Sequence, residues 1–78
     1  MRPALQRFAV DMERVLSLRL ENDHKGGWTH TPLKYLHNRL LQEIGEYFGN
    51  EAEGNYDEDE LVDIANFAMM IWDKRHQK

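Results

Sequence analysis

The sequence predicts an all-α fold: a small bundle of three helices per chain, completed by helices of a second subunit. Three observations lead there. Apolar side chains recur at steps of three and four in three long stretches, the spacing that lines one face of a helix. Clusters of glycine, asparagine and aspartate, which favour turns, separate those stretches. No stretch alternates apolar and polar with the period of two that a half-buried strand requires.

The first helix is predicted over residues 3–21. Leu5, Phe8, Met12 and Val15 form its stripe, which Ala9, Leu16 and Leu20 widen, and Pro3 is tolerated in a first turn. "ENDHKGGWTH" ends it, because Asn22 and Asp23 favour turns and Gly26-Gly27 is a breaker pair. Thr31 is predicted as an N-cap with Pro32 at the first helical position. The second helix carries Leu33, Leu36, Leu40, Leu41, Ile44, Tyr47 and Phe48, and is predicted to end at "GNEAEGN". The third starts at Asp57 and runs nearly to the last residue, with an acidic first turn and Lys74, Arg75 and His76 in its last, matching the helix dipole at both ends.

From Leu61 to Trp72 that third helix is apolar at ten of twelve positions. Two neighbours cannot cover a helix that is apolar nearly all round, so helices of another copy are expected to do so. A homodimer is the first expectation and a homotetramer the alternative.

Residues 1–78 make one domain, and a chain this short buries a limited share of its surface. With 41% hydrophobic and 31% charged residues, two prolines and five glycines, the composition is that of a folded globular protein. No cysteine is present, which removes disulfides and thiolate metal sites and is compatible with a reducing compartment. The first fifteen residues lack the apolar core and cleavage site of a signal peptide, and the longest apolar run, Phe67 to Trp72, is far short of the roughly 20 residues that span a bilayer. A cytoplasmic protein with no membrane partner is expected. The net charge is −4, with six acidic residues and no basic ones between Glu51 and Glu60, which argues against a nucleic acid polymer as ligand.

The chemistry lies in the carboxylates. "LLQEIGEYF" places Glu43 and Glu46 three apart at the edge of the leucine stripe, and Glu60 and Asp63 repeat that spacing on the third helix, with Asn66 one further step along. Two antiparallel helices would bring the four acids to one boundary of the core. Such a cluster is unfavourable by repulsion and desolvation, and Lys34 and Arg39 are the only lysine or arginine residues between Gly26 and Asp73. A hard divalent cation such as Mg²⁺, which takes carboxylates, waters and substrate phosphates together, would resolve it. The plainer alternatives are a capping box for Glu60 with Asp57, and a solvated helix edge for Glu43 and Glu46. Asp63 is harder to place in solvent, since Leu61, Val62, Ile64 and Ala65 surround it.

"EIGE", a 13-residue interval and "ELVD" together resemble the ExxE…ExxD signature of the MazG-like all-α nucleoside triphosphate pyrophosphohydrolases, and "DHKGGW" and "DIANFAMMIWD" resemble a short group within that superfamily. The similarity spans residues 22–74. It implies Mg²⁺-dependent cleavage of a (d)NTP between the α and β phosphates to (d)NMP and pyrophosphate, a house-cleaning of the nucleotide pool, with Mn²⁺ as a substitute metal. The residues matching the family's metal-holding and catalytic positions are Glu43, Glu46, Glu60 and Asp63. Three departures stand out: Gln42 where many members carry a further glutamate, Gly45 inside the motif, and a third helix soon followed by the last residue, where fuller members continue into a fourth.

Four further residues are candidates for substrate contact, each with a structural alternative. Lys25 on the glycine-bearing loop could reach a phosphate or be solvated. Trp28 could stack on a base or plug the end of the bundle. Asn66, polar in an apolar helix, could bond a nucleotide or hold a carboxylate in place. Lys74 could reach a phosphate or serve the helix dipole. The functional alternative to the enzyme is a non-catalytic helical oligomer that binds nucleotide or a protein partner.

Overall fold

The computed structural model describes residues 1–23 and 27–76, with side chains at 1–18 and 27–76. In order these form α1 (Pro3–Asp23), a single 3-10 turn (Gly27–His30), α2 (Leu33–Glu53) and α3 (Glu58–His76). No strand occurs among the described residues. The chain is all-α, as its periodicity predicts.

The helix ends show which local signals prevail. Thr31 does not cap α2; its amide donates to the Trp28 carbonyl at 3.0 Å and closes the 3-10 turn. Pro32 takes the cap position with φ −59° and ψ 142°, and its carbonyl accepts the amides of Tyr35 and Leu36. At the other end α2 runs through Gly49 to Glu53, within the stretch predicted to end it. One interior glycine costs about 1 kcal/mol relative to alanine, too little to end a well-packed helix. Gly54 ends it, with φ 79° and ψ 17°, a left-handed conformation that a side chain would strain. Its amide donates to Glu51 and that of Asn55 to Asn50 at 2.8 Å, the paired closure of a Schellman motif. Asp57 then caps α3, its Oδ1 accepting the Asp59 amide at 3.0 Å. Glu58, Asp59 and Glu60 fill the first turn of α3, and Lys74, Arg75 and His76 the last.

α3 is the central element and packs against α1, α2 and the 3-10 turn. Leu16 from α1, Leu36 from α2 and Phe67 and Met70 from α3 form the core, with Trp28, Leu40, Met69 and Ile71 packed around it. Val15 and Val62 are buried as well.

The predicted stripe of α1 is only half used. Val15 and Leu16 are buried, yet every one of the first ten residues, Leu5, Phe8 and Ala9 among them, is exposed. The attachments of α1 lie further along: Asn66 Nδ2 donates to the Met12 carbonyl at 3.2 Å, and Arg14 pairs with Asp59 at 2.8 Å. The side chain of Leu20 lies outside the described residues.

Both remaining helices have a second apolar face. On α2, Leu36 is buried and Leu40 and Tyr47 are half-buried, whereas Leu41 and Phe48 point outward with Gly45 between them. On α3 the outward line is Leu61, Ala68 and Trp72, at positions that share one side of a helix. The chain exposes 5951 Å², against roughly 5,000 Å² for a compact monomer of this mass. Its radius of gyration is 13.3 Å, against about 11.5 Å for 78 residues packed as a sphere-like domain.

Leu36 is 2% exposed and Phe48 64%. In urea denaturation at dilutions where the chain is monomeric, Leu36→Ala is expected to cost about 2–4 kcal/mol, whereas Phe48→Ala is expected to stay within about 0.5 kcal/mol. Equal losses at the two positions would contradict the assignment of inward and outward faces.

Candidate functional site

The four-residue connection after α2 folds α3 back along it. Asn50 pairs with Glu60, and Arg39 lies over Phe67, so residue numbers rise on one helix as they fall on the other. Across the seam of this antiparallel hairpin Asp63 comes near Glu43, and Glu60 meets Asn50.

Glu43 lies inside that seam, 5% exposed, next to the core rather than at its edge. Burial pushes its carboxyl above the ordinary glutamate range, and the charges of Asp63 and Glu46 push it further the same way. Arg39 opposes them: its Nη2 donates to Glu43 Oε1 at 2.6 Å, and its guanidinium lies 5.1 Å from the centre of the Phe67 ring. Glu43 therefore feels two other carboxylates of the predicted set, Asp63 and Glu46, and Arg39 partly compensates it.

Glu46 is exposed and accepts a 3.3 Å bond from Gln42 Nε2. The same Gln42 accepts a bond from Arg39 Nη1 at 2.6 Å through its Oε1. The amide thus joins Arg39 to Glu46, which a carboxylate at this position could not do, having no hydrogen to donate. Gly45 lies on the opposite, outward side of α2, and a Cβ there would meet nothing within 4 Å. It opens no space at the seam.

On α3, Asp63 is half-buried beside Glu43. Glu60 accepts a bond from Asn50 Nδ2 through Oε1, while its Oε2 is buried without a hydrogen-bond partner. Asp57 caps the helix while the Glu60 carboxylate turns to α2, so Glu60 has more to do than complete a cap. Asn66 is 2% exposed; its Nδ2 reaches α1, and its Oδ1 is a second buried acceptor without a partner.

The other substrate candidates are placed at the far end of α3. The Trp28 indole packs on the core and donates through Nε1 to Asp73 Oδ2 at 3.0 Å. Lys74 Nζ donates to the Thr29 carbonyl at 2.9 Å. Both bonds clamp the 3-10 turn to α3. Lys25 lies outside the described residues.

Acceptor-only oxygens, mutual repulsion and an orphaned buried oxygen on Glu60 suit a hard divalent cation. As they stand, no three histidine, aspartate or glutamate side chains among the described residues are grouped to hold a metal ion. Glu43 and Glu60 are turned to Arg39 and Asn50 instead. Those two partners escaped the sequence reading. For Arg39 a signal existed, its position four residues before Glu43 on the same helix face; Asn50 had none, lying in a segment read as the helix end. Compared with protein-family models, curated proteins and solved structures, the chain matches none.

Asn66→Leu separates a structural from a ligand-binding role for that residue. It removes one hydrogen bond, worth about 1 kcal/mol, together with an unpartnered buried acceptor that costs a similar amount. Stability in urea is therefore expected to change by less than about 1 kcal/mol. A loss well beyond that would show that the Met12 bond is essential to docking α1.

Proposed function

We propose that the chain is a Mg²⁺-dependent nucleoside triphosphate pyrophosphohydrolase of the MazG-like kind, cleaving a (d)NTP to (d)NMP and pyrophosphate. The observation that carries this reading is Glu43, 5% exposed, whose carboxyl is raised first by burial and then by the charges of Asp63 and Glu46. A fold without a cationic ligand gains nothing from such crowding, which desolvation and repulsion both disfavour.

In this reading Glu43, Glu46, Glu60 and Asp63 hold Mg²⁺, with Mn²⁺ as a substitute. When bound, the cation neutralises charge on the triphosphate and makes water a better nucleophile near neutral pH. The chain's own residues supply positioning. The antiparallel hairpin sets Asp63 near Glu43, Gln42 restrains Glu46, and Asn50 restrains Glu60. Val62, Phe67 and Met70 are buried on the same helix as Glu60 and Asp63, and a water-poor surrounding of this kind would strengthen electrostatic stabilisation of a developing charge. Asn66, Lys74, Trp28 and Lys25 remain the candidates for holding the substrate.

A second copy of the chain is part of this proposal. The excess surface and the outward line Leu61, Ala68 and Trp72 support its docking on α3 as a homodimer. The separate outward face of α2, with Leu41 and Phe48, is the surface a homotetramer would add.

A second reading, a non-catalytic helical oligomer that binds nucleotide or a protein partner, is favoured by the engagement of Glu43 and Glu60 with Arg39 and Asn50. A panel of NTPs and dNTPs incubated with Mg²⁺, with EDTA controls, decides between them. Pyrophosphate release is expected, and Asp63→Asn and Glu46→Gln are expected to lower it by about 100-fold or more. Undiminished activity in both variants would refute the assigned roles, and nucleotide binding without turnover would favour the second reading.

Trp72 is 60% exposed, so Trp72→Glu should leave helicity intact while shifting sedimentation toward the monomer. An unchanged oligomer, or a wild type that is already monomeric at high concentration, would remove this face as the contact.

A further inference from the structure

We propose that Arg39 is a resident counter-ion of the carboxylate seam, and that a divalent cation binds there only by displacing its guanidinium from Glu43. This rests on reading the four carboxylates as a cation site, and goes beyond it by naming the internal group that competes for that site.

The geometry carries the inference. Arg39 Nη2 lies 2.6 Å from Glu43 Oε1, a charge-assisted bond at the short end of its range. Both side chains are withdrawn from water, with 22% and 6% exposure, so solvent does not screen the pair as it does an exposed helix pair. Arg39 Nη1 is bound to Gln42 Oε1 at 2.6 Å, which sets the fork in position. Gln42 in turn reaches Glu46, so the guanidinium is linked to two of the four acids.

A cation seated on Glu43 and Asp63 would meet that guanidinium at close range. Two positive charges a few ångströms apart in a partly dry seam repel strongly, and one carboxylate oxygen cannot serve both well. The arginine must withdraw. The Phe67 ring, 5.1 Å away, supports the guanidinium in its paired position, so metal must outcompete that contact as well. Glu43 therefore has two alternative cationic partners, Arg39 and the metal. Without metal the chain avoids an unpaired buried carboxylate, and metal affinity is the difference between the two pairings.

The test uses the full chain without nucleotide and Mn²⁺ as the probe, with binding read by calorimetry and stability by thermal melting. Arg39→Met keeps an apolar stem against Phe67 and removes the charge. It is expected to melt lower than wild type without metal, to bind Mn²⁺ on the order of tenfold more tightly, and to show a larger rise in melting temperature with Mn²⁺. In a Glu43→Gln background the same substitution is expected to leave Mn²⁺ affinity unchanged, because the competition has lost its object. Should Arg39→Met fail to fold, Arg39→Gln, which keeps an amide donor toward Glu43 without the charge, is measured in its place. Folded Arg39 variants that bind Mn²⁺ no more tightly than wild type would overturn the proposal and leave the cation site standing. Absence of Mn²⁺ binding at millimolar concentration in wild type and variants alike would overturn both.

Discussion

The structure turns on one carboxylate held out of water. Glu43 occupies a position on α2 that its neighbours Leu36, Leu40 and Tyr47 mark as inward, and burial disfavours its ionised form. The surrounding residues follow from that constraint. Arg39 lies one turn earlier, where it can reach Glu43 along the helix. Phe67 from α3 supports the guanidinium, and Gln42 accepts one bond from the arginine and donates one to Glu46. A hydrophobic residue in place of Glu43 would give a simpler and more stable seam, since buried ion pairs are often weaker than the apolar contacts that replace them.

The same helices are committed on two sides. α3 meets α1 and α2 with Val62, Asn66, Phe67 and Met70, and turns Leu61, Ala68 and Trp72 to solvent. α2 turns Leu41 and Phe48 away from the core that it shares through Leu36. With so small a core, the single chain has little hydrophobic stabilisation to set against its conformational entropy, a familiar difficulty for domains below about 80 residues.

Much of the fold was legible in the sequence. Periodicity located three helices, the charged ends of α3 were readable, and Asp57 caps that helix. Periodicity could not choose between two apolar faces of one helix. Leu41 and Phe48 carry the same hydrophobic signal as Leu36, and only the neighbour decides which is covered. Leu5 and Phe8 lie on the stripe of α1 yet are exposed in the single chain, since a stripe records what a helix could bury rather than what is beside it. At the site, the spacing of Glu43 and Glu46 suggested two equivalent edge positions, whereas one is buried and the other exposed. Their positions on α2 lie on either side of the line that meets α3. That line depends on the tilt and depth of α3, which no local pattern encodes. An arginine four residues before a glutamate is visible in any sequence, but most such pairs lie in solvent and do little.

The turn closed by Gly54 has a consequence for how the molecule is made. Because only a short reversal separates α2 from α3, Asn50 meets Glu60 after ten residues and the acidic seam is assembled from segments adjacent along the chain. Such pairings have low contact order, and loops this short close with little entropic delay. The hairpin can therefore form early, before α1 docks through Met12 and Arg14. On that route the repulsion among its acids would be met at the first stage of folding, when Arg39, from the same hairpin, is already at hand.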